Sequence, residues 1–587
     1  MDRRAARGIG MAGAALLALM LAAMLALPEA ASAAPLKKCK KRSAIECGSV
    51  SVPLDRTGAV PGRVKLSVVR LPARKGPAKG TLVLIAGGPG ESAVGALALT
   101  GLPLARALPR FDVVAFDQRG TGESSRLRCR ALSKSGKGRS IAAAFARCAE
   151  QIGPKRAFYR TADSVEDLEA VRRYLKSPAL SLLAVSYGAR VAGEYVRRYP
   201  ASTARLVLDS PVPLTGSDPF DRQALSALPR VLSSLCADKA CPFTKSPYGD
   251  LTRLAGRLSR QPLRGRVVDP RGRHRRAALS NRLLHALVSA SDVDPLVRGQ
   301  LPAGVASALK GDPAPLLRIA AGASSDADSQ FSIPVTAATL CSESALPWDP
   351  AAAPGPGRGA ALSAALAGLG SAPFAPFSPK VATGDGILDI CRKWPAVPNK
   401  PAPVGGVSAV PSLILSGTED LRTPYEQARS VAAQYAGARL LAVPHTGHSV
   451  LGSAPGRCAT RAVVDFLRGG SPAGACPSKS RPSLTAVAKP PPARLAAVPG
   501  RTRAQRIRIA ARLTARDAIT QVLTKGRRFG GLRGGTGRLE RKRLVLDDYE
   551  YVSGVRLNGH LRPSKGDKPA GSVFVSVGTA APIFVEL

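Results

Sequence analysis

Short apolar runs that end in polar, glycine-rich turns recur along this 587-residue chain, and amphipathic segments separate several of them. Continuous apolar character over five or six residues is typical of strands that are buried on both faces of a parallel sheet. Residues 161–176 predict a helix, with Asp163 as its cap and one apolar stripe. The alternation predicts an α/β fold, with strands expected within residues 80–90, 111–124, 180–186, 204–209, 411–420 and 438–448.

This alternation stops between residues 211 and 403, where the sequence is rich in Ala, Leu and Arg and has a mostly helical pattern. Because strand-like runs resume afterwards, we expect one α/β core built from residues 34–210 and 404–478, with a helical cap inserted between its two parts. Residues 479–502 have the composition of a linker. Residues 503–587 begin with a basic helix-like segment and continue with alternating strands, which predicts a small β-rich appendage.

The N-terminus has the pattern of a signal peptide over residues 1–33. Arginines precede an apolar run over residues 11–27, and the small-x-small site Ala31-Ser32-Ala33 follows. An uncleaved membrane anchor is the alternative, because the run is nearly long enough to span a bilayer. The cleavage site favours export, and the mature protein is expected to be secreted or associated with the cell envelope.

Ten cysteines agree with export to an oxidising compartment. Free buried thiols, the alternative, fit a reducing compartment and conflict with the leader. Neither a C-x-x-C pair nor a Cys/His cluster is present, so the sequence gives no indication of a metal site. The cysteines fall into five successive pairs, although spacing alone does not establish connectivity. The disulfides expected are Cys39–Cys47, Cys129–Cys148, Cys236–Cys241, Cys341–Cys391 and Cys458–Cys476.

A formal net charge of +45 raises the question of nucleic acid as a partner. The basic residues are scattered and are not interleaved with aromatic side chains that would stack on bases, so we expect no nucleic-acid binding. The segment after residue 477 is enriched in Lys and Arg. For an exported protein, this tail suits an anionic cell-wall polymer or a membrane surface, with a merely solvated basic surface as the alternative.

Ser186 lies where a predicted strand passes directly into a helix-compatible segment, in the sequence Ala184-Val185-Ser186-Tyr187-Gly188. A strand, a sharp turn and a helix form a nucleophile elbow, which raises a serine hydroxyl at the end of a buried sheet. The usual pattern is G-x-S-x-G, and Ala184 replaces its first glycine. Taken alone this motif is weak, because a serine in a strand-to-helix turn is often structural.

An acid and a histidine follow Ser186 in the order that accompanies a nucleophile elbow. Asp420 and His448 each come after a predicted strand and lie 28 residues apart, which leaves room for one helix and one strand. Serine hydrolysis needs a nucleophile, a base that takes its proton and an acid that orients the base. We therefore predict that Ser186, His448 and Asp420 take these three roles.

Rival residues exist for the acid and the base. Asp209 also ends a strand, but an aspartate before Ser-Pro is typical of a turn. The side chain of Glu419, directly before Asp420, is expected to face away from the catalytic site. His445 lies three residues before His448, and a flexible glycine directly before His448 favours the second histidine. The remaining histidines are expected to be surface or packing residues: His274, His285 and His560.

The oxyanion that develops during nucleophilic attack needs positioned hydrogen-bond donors. The backbone N–H of Tyr187, directly after the nucleophile, is the first expected donor. The second is expected from the loop Gly87-Gly88-Pro89-Gly90, which follows an early buried strand, and Gly88 is our choice. A tight turn is the alternative role for this loop.

Taken together, the segments GGPG, DQRGTGES, SYG, GTEDLRTP and GH resemble the exported tripeptidyl-aminopeptidase branch of the prolyl-aminopeptidase-like α/β-hydrolases. The resemblance covers about residues 45–478. It implies the α/β-hydrolase fold, the triad already named, and structural roles for Asp117 and Arg119. It also implies a peptidase that acts on free N-termini and requires no metal or organic cofactor.

The same resemblance implies a carboxylate in the cap that holds the α-ammonium group of the substrate. Glu343, in the segment LCSE, is the candidate, and an exposed glutamate paired with a nearby arginine is the alternative. The later segment CRKWP is also family-like, which supports a disulfide between Cys341 and Cys391.

Three residues depart from the family pattern near the predicted oxyanion loop and elbow. Ala86 replaces the polar residue that often precedes GGPG, Glu91 replaces a small residue after it, and Ala184 replaces the elbow glycine. None of the three changes removes a catalytic group, and each bears on how a substrate fits.

The sequence therefore predicts an exported serine hydrolase, most simply an aminopeptidase that releases short peptides from free N-termini. An esterase or amidase is the alternative within enzymes, since the same triad cleaves esters and the fold does not select a substrate. A catalytically silent envelope-binding protein, with the basic tail as its functional part, is the alternative from another class. An intact triad counts against that last hypothesis.

Overall fold

Three β-sheets organise the part of the chain that the structure describes. The computed structural model describes residues 33–40, 44–133, 141–214, 218–323, 331–349, 351–384, 386–395, 409–454, 456–472, 475–477, 486–563, 569–578 and 581–587. The predicted signal peptide lies outside these residues, apart from Ala33. The strands are β1 (Ala33–Lys38), β2 (Glu46–Pro53), β3 (Arg63–Leu71), β4 (Gly80–Ile85), β5 (Phe111–Phe116), β6 (Leu180–Val185), β7 (Thr203–Asp209), β8 (Leu263–Val268), β9 (His274–Leu279), β10 (Ser412–Gly417), β11 (Arg439–Val443), β12 (Arg528–Gly530), β13 (Gly534–Glu540), β14 (Arg543–Glu550), β15 (Val555–Pro563), β16 (Pro569–Val577) and β17 (Ile583–Glu586).

Helices connect and cover these strands. Among the described residues, none of the helices is long and apolar enough to cross a membrane. The α-helices are α1 (Ala93–Ala96), α2 (Leu102–Ala107), α3 (Arg130–Ser133), α4 (Ile141–Ile152), α5 (Thr161–Tyr174), α6 (Gly188–Arg198), α7 (Arg222–Leu235), α8 (Pro247–Leu258), α9 (Asn281–Ala290), α10 (Pro295–Leu309), α11 (Ala314–Ala323), α12 (Ile333–Glu343), α13 (Pro356–Leu369), α14 (Pro379–Thr383), α15 (Ile387–Lys393), α16 (Tyr425–Ala432), α17 (Val450–Ser453), α18 (Cys458–Leu467) and α19 (Arg503–Lys525).

The largest sheet has nine strands in the order β1-β2-β3-β5-β4-β6-β7-β10-β11. Pairing is antiparallel from β1 to β5 and parallel from β5 through β4, β6, β7 and β10 to β11. The sheet separates two apolar clusters, one on each face. Burial on both faces explains why the parallel strands are continuous apolar runs. Strands from both sides of the predicted insertion share this sheet, which agrees with an α/β-hydrolase core.

Helix α5 leads the chain into β6, and its N-terminus corrects one expectation from the sequence. The helix begins at Thr161, with Arg160 as the capping residue, so Asp163 occupies the third helical position and is not the cap. Its carboxylate accepts a hydrogen bond from the Arg160 backbone N–H at 3.1 Å. An acid at the third helical position can reach back to the unpaired N–H groups at the start of a helix. An acid therefore suits both the capping position and the third helical position.

The segment between β7 and β10 is mostly helical, as expected, but it also contains an antiparallel hairpin. Strands β8 and β9 pair over six residues each, and Asp269 in the turn accepts the N–H groups of Arg271 and Arg273. The sequence pattern did not reveal this hairpin. Arginines take several of its positions, so the apolar alternation that marks a half-buried strand is missing.

The C-terminal residues form a six-stranded antiparallel sheet, β12 to β17, with α19 packed against it. Small helix residues, including Ala511 and Ala515, are fully buried with Leu557 and Val573 of the sheet. The predicted β-rich appendage therefore has an apolar core of its own.

This appendage packs against the cap through charges that are mostly removed from solvent. Asp517 of α19 binds Arg318 of α11 with two hydrogen bonds of 2.6 and 2.8 Å, and it also accepts the Tyr549 hydroxyl at 2.7 Å. Arg533 makes a second ion pair with Asp312. The contacts fix the appendage to α11 and to the residues that precede it.

Five disulfides join the pairs expected from the sequence: Cys39–Cys47, Cys129–Cys148, Cys236–Cys241, Cys341–Cys391 and Cys458–Cys476. No free cysteine occurs among the described residues. The Cys341–Cys391 bond ties α12 to α15 within the cap. Five disulfides are typical of extracellular proteins.

The Arg318–Asp517 pair generates a stability prediction. In Arg318→Ala, Asp517 stays buried without its cationic partner, so the free energy of unfolding should fall by about 3–5 kcal/mol. Urea unfolding followed by circular dichroism measures the change. As a control, Arg538→Ala removes the exposed pair with Glu540, and it should cost about 1 kcal/mol or less. Equal, small losses in both variants would contradict the assigned role of the buried pair.

Candidate active site

Ser186 lies in a strained turn between β6 and α6. Its φ is +55°, its N–H donates to the Asp209 carbonyl at 2.9 Å, and its carbonyl accepts the Ala189 N–H at 3.0 Å. A left-handed backbone is unfavourable for serine, and it persists because the surrounding structure imposes it. A Cβ added to Gly188 would lie 2.7 Å from the carbonyl oxygen of Ile85, so the turn requires glycine there. This is the geometry of a nucleophile elbow.

Ala184, the departure from the usual elbow pattern, is fully buried in β6. It pairs with Ile85 on one side and with Leu208 on the other. The methyl group is therefore accommodated within the regular sheet, before the backbone enters the turn.

The glycine loop after β4 lies directly against the elbow. A Cβ added to Gly87 would lie 3.0 Å from Ser186 Cβ, and Gly88 and Gly90 have φ values of +103° and +116°. Glycine allows this close approach and these backbone angles. Within the described residues, the backbone N–H groups of Gly88 and Tyr187 have no hydrogen-bond acceptor. Both donors suggested by the sequence are thus unused by the residues that the structure describes.

Asp420 and His448 are brought together by neighbouring strands. They follow β10 and β11, and Asp420 Oδ2 lies 3.0 Å from His448 Nδ1. Asp420 is fully buried, and His448 is nearly so. Asp420 Oδ1 accepts the N–H groups of Arg422 and Thr423 at 2.9 Å each, and Oδ2 also accepts the Thr423 hydroxyl at 2.8 Å.

Burial and pairing act in opposite directions on these two groups. Burial alone would raise the pKa of Asp420, but His448 and the hydrogen bonds from Thr423 outweigh it and hold that pKa below its ordinary value. Burial alone would lower the pKa of His448, but the nearby Asp420 carboxylate outweighs it and raises that pKa above its ordinary value. The pair therefore favours a charged imidazolium beside a carboxylate.

Ser186, at the end of β6, and this pair lie at the same edge of the sheet, with β7 between them. Carboxyl ends of parallel strands gather side chains in this way. The Ser186 side chain makes no hydrogen bond to His448 in the structure. Catalytic hydrogen bonds often form or tighten only when substrate is bound.

The rival acids and histidine have other partners. Asp209 accepts the N–H groups of Val450 and Leu451 at 2.7 and 2.9 Å, so it holds the start of α17. Burial raises the pKa of Asp209. The Glu419 carboxylate accepts a hydrogen bond from Arg298 Nε at 3.1 Å.

The remaining histidines occupy separate places. His445 Nδ1 lies 3.6 Å from the Glu419 carboxylate. His285 stacks edge-on against Phe377 at 5.0 Å, and burial lowers its pKa. His274 and His560 are exposed on β9 and β15.

Asp292, which follows α9 in the cap, is a site residue that sequence reasoning missed. Its carboxylate accepts the Leu421 N–H at 3.1 Å and the Arg422 guanidinium at 3.0 Å, and its carbonyl accepts the His448 N–H at 3.1 Å. Burial and the neighbouring charge of Asp420 raise the pKa of Asp292. No motif marks this residue, because the contact depends on how the cap docks.

Asp292, Asp420 and His448 each offer one ligand atom within 4.8 Å of the others, the kind of grouping that could hold a metal ion. The carboxylate oxygens of both acids already accept from N–H groups, a hydroxyl or a guanidinium. The arrangement of the two carboxylates thus suits the orientation of the His448 imidazole.

Glu343 ends α12, and its side chain is 7% exposed. Its two carboxylate oxygens accept the Thr161 N–H at 2.6 Å and the Thr161 hydroxyl at 2.7 Å, and Arg190 lies 3.5 Å away. The alternative of an exposed glutamate is wrong, although a nearby arginine is present. The Thr161 hydroxyl also contacts the Tyr187 hydroxyl at 2.8 Å, so Glu343 braces the residue after the elbow serine.

The DQRGTGES segment takes the structural role that the resemblance implied. Asp117 accepts the Ser92 hydroxyl at 2.7 Å and the Val94 N–H at 3.1 Å, at the start of α1. Arg119 is buried and makes two hydrogen bonds of 2.7 Å to Asp167. These contacts hold the loop after β5 in place beside the glycine loop.

A cavity of about 250 Å³ lies between the cap and the Asp420 loop. Apolar side chains supply part of its wall, and Asp221, Asp292 and Arg422 supply charge. The cavity therefore borders Asp292 of the cap, whose carboxylate contacts the loop that carries Asp420.

The comparison with known proteins agrees with this geometry. A family model described as the alpha/beta hydrolase fold matches residues 80–455. The chain belongs to the alpha/beta hydrolase fold family. Its fold is that of this family, and the turn at Ser186 with the later Asp420 and His448 has the order expected for a nucleophile elbow.

Curated relatives carry hydrolase names. Serine protease Hip1 of Mycobacterium tuberculosis is 27% identical over 472 residues, covering 73% of this chain and 86% of the relative. Carboxylesterase B of the same organism is 27% identical over 466 residues, covering 72% and 84%. A tripeptidyl aminopeptidase of Streptomyces coelicolor is 28% identical over 190 residues, covering 29% and 35%. With the family assignment, these relatives support a serine hydrolase.

Solved structures with low sequence identity also align. An esterase from Thermogutta terrifontis is 14% identical, covers 70% of this chain and 96% of its own, and has a TM-score of 0.30. A proline iminopeptidase-related protein from Thermus thermophilus is 18% identical, covers 72% and 95%, and has a TM-score of 0.29.

The Asp420–His448 contact predicts a shifted titration. In Asp420→Asn the imidazolium loses its carboxylate partner, so the pKa of His448 should fall relative to the unsubstituted protein. Titration of the imidazole C–H signals by NMR measures it, and the chain has only five histidines to resolve. Glu426→Gln, an exposed change in α16, is the control and should leave this pKa unchanged. An unaltered pKa in Asp420→Asn would refute the contact.

Proposed function

We propose that this serine hydrolase is an exported aminopeptidase that cleaves short peptides from free N-termini. The observation that carries the proposal is the buried Asp420–His448 hydrogen bond at the same sheet edge as the strained turn of Ser186. The relatives named a serine protease and a tripeptidyl aminopeptidase support peptide substrates. Five disulfides support export.

In this proposal Ser186 Oγ attacks the scissile carbonyl carbon while His448 Nε2 takes the hydroxyl proton. Asp420 holds Nδ1 and stabilises the imidazolium. The N–H groups of Tyr187 and Gly88 bind the oxyanion of the tetrahedral intermediate. His448 then donates its proton to the leaving amine, and an ester bond joins the acyl group to Ser186. Water activated by His448 hydrolyses this acyl-enzyme and restores the serine.

An esterase or amidase is the second candidate, and the relative named Carboxylesterase B favours it. The two functions separate on a panel of free and N-blocked aminoacyl and tripeptidyl amides beside simple esters. A preference for blocked amides or plain esters would contradict the aminopeptidase proposal and favour an esterase or amidase. A role of the basic C-terminal tail in holding anionic cell-wall or membrane surfaces is compatible with either activity.

Ser186→Ala should abolish turnover. Loss of the nucleophile is expected to lower kcat by a factor on the order of 10⁶ while the fold stays intact. Initial rates with a chromogenic aminoacyl amide measure the loss. Ser226→Ala, which changes an exposed serine of α7, should retain full activity. Turnover that survives in Ser186→Ala, or that is lost equally in Ser226→Ala, would reject Ser186 as the nucleophile.

The pH dependence of kcat/KM should follow His448. Only the neutral imidazole takes a proton, so activity rises as pH increases through a pKa that lies above its ordinary value of about 6.5. A pH–rate profile with a saturable substrate measures the midpoint. In Asp420→Asn, any residual activity should have its midpoint at lower pH. A midpoint below about 6.5 in the unsubstituted enzyme would contradict the assignment of His448 as base.

A further inference from the structure

Glu91, directly after the glycine loop, places a carboxylate beside the nucleophile. A Cβ added to Gly87 would lie 3.0 Å from Ser186 Cβ and 3.2 Å from Glu91 Oε2. Because both atoms lie close to one point, they are separated by no more than about 6 Å. Glu91 therefore borders the space in which a substrate carbonyl meets Ser186.

The Glu91 carboxylate differs from the other acids of the site because no described residue pairs with it. Asp420 and Glu419 are buried and bind His448 and Arg298, and Glu343, with a side chain that is 7% exposed, pairs with Arg190. Glu91 is exposed, and in the described part of the chain its side chain makes no ion pair or hydrogen bond. In a chain with 85 Lys and Arg against 40 Asp and Glu, an acid without a protein cation leaves room for a cation from the ligand.

This unpaired charge has opposite effects on two kinds of substrate. During attack, negative charge develops on the carbonyl oxygen near the loop, and a carboxylate at this distance opposes it. A substrate that carries an ammonium group beside its carbonyl neutralises Glu91 and removes the repulsion. Glu91 thus penalises neutral substrates and favours cationic ones.

The distance also restricts where the ammonium group lies. In an aminoacyl substrate, the α-nitrogen is about 2.5 Å from the carbonyl carbon, two bonds away. Each additional residue moves the α-nitrogen outward by about 3.3–3.6 Å. A carboxylate within about 6 Å of Ser186 Cβ matches the α-ammonium of the residue whose carbonyl is attacked. The N-terminus of a tripeptidyl unit would lie about 7 Å farther away.

We propose that Glu91 binds the α-ammonium group of the acylating residue and so restricts the enzyme to the release of single N-terminal residues. The proposal rests on the proposed function, because it assumes acyl transfer to Ser186. It narrows the released unit from a short peptide to one amino acid. The departure of Glu91 from the family pattern is then a determinant of specificity.

The test compares Glu91→Gln with the unsubstituted enzyme on four substrates. These are the p-nitroanilides of alanine, N-acetylalanine and trialanine, and p-nitrophenyl butyrate. We expect Glu91→Gln to lower kcat/KM for the free alanine substrate by about 10- to 100-fold. The acetylated amide and the ester should react at least as fast as before, because the repulsive charge is gone. The unsubstituted enzyme should release p-nitroaniline directly from the alanine substrate, whereas the trialanine substrate should first lose single alanines.

Control experiments distinguish failure of this proposal from failure of the proposed function. Glu150→Gln removes an exposed acid of α4 and should change none of the four rates. N-acetyl-lysine p-nitroanilide distinguishes an α-ammonium from a side-chain ammonium. If Glu91→Gln lowered kcat/KM more for this substrate than for free alanine p-nitroanilide, the assignment would be overturned. Equal losses on free and acetylated alanine would indicate a merely structural role and would also overturn it. Release of intact trialanine together with p-nitroaniline from the trialanine substrate would overturn the single-residue restriction. Failure of the proposed function itself would be seen separately, as turnover of the same substrates by Ser186→Ala.

Discussion

The buried hydrogen bond between Asp420 and His448 is the interaction on which the rest of the site depends. A carboxylate without water is costly unless donors surround it, and the N–H groups of Arg422 and Thr423 and the Thr423 hydroxyl supply them. The contact forms only because β10 and β11 run parallel in register from Leu413 to Gly417. The core sheet therefore serves the site by holding the ends of β10 and β11 side by side.

The same pair links stability to pH in a defined direction. The pKa of Asp420 is held down, so its contribution to stability is present above the ordinary aspartate pKa and lost as pH falls. The pKa of His448 is raised, so its contribution is present below the ordinary histidine pKa and lost as pH rises through the raised value. The pair stabilises the fold most between about pH 4 and 6.5, whereas the base needs a neutral imidazole at higher pH. The conditions for greatest stability and for activity thus differ.

The cap contributes to this arrangement as a structural partner. Asp292 accepts the His448 N–H and the Arg422 guanidinium, so the docked cap fixes both sides of the acid–histidine pair. The appendage binds the cap in turn through Arg318 and Asp517. A continuous set of packed contacts therefore runs from the C-terminal sheet to the site.

Sequence reasoning recovered the features that depend on local pattern. Buried parallel strands are continuous apolar runs, so their ends could be located, and with them Ser186, Asp420 and His448. It did not recover features that depend on docking or on unusual composition. Asp292 has no motif around it, and the hairpin of β8 and β9 is hidden because arginines interrupt its apolar alternation. The carboxylate of Glu343 is bound by Thr161, which is 182 residues away in the sequence.

The central claim is that Ser186 is the activated nucleophile of this site. Its most direct test is peptide mapping by mass spectrometry after treatment of the folded protein with a fluorophosphonate. The account predicts one stoichiometric adduct on Ser186, formed faster as His448 loses its proton and absent after denaturation. An adduct on another residue, or an unreacted Ser186 in folded protein, would contradict it.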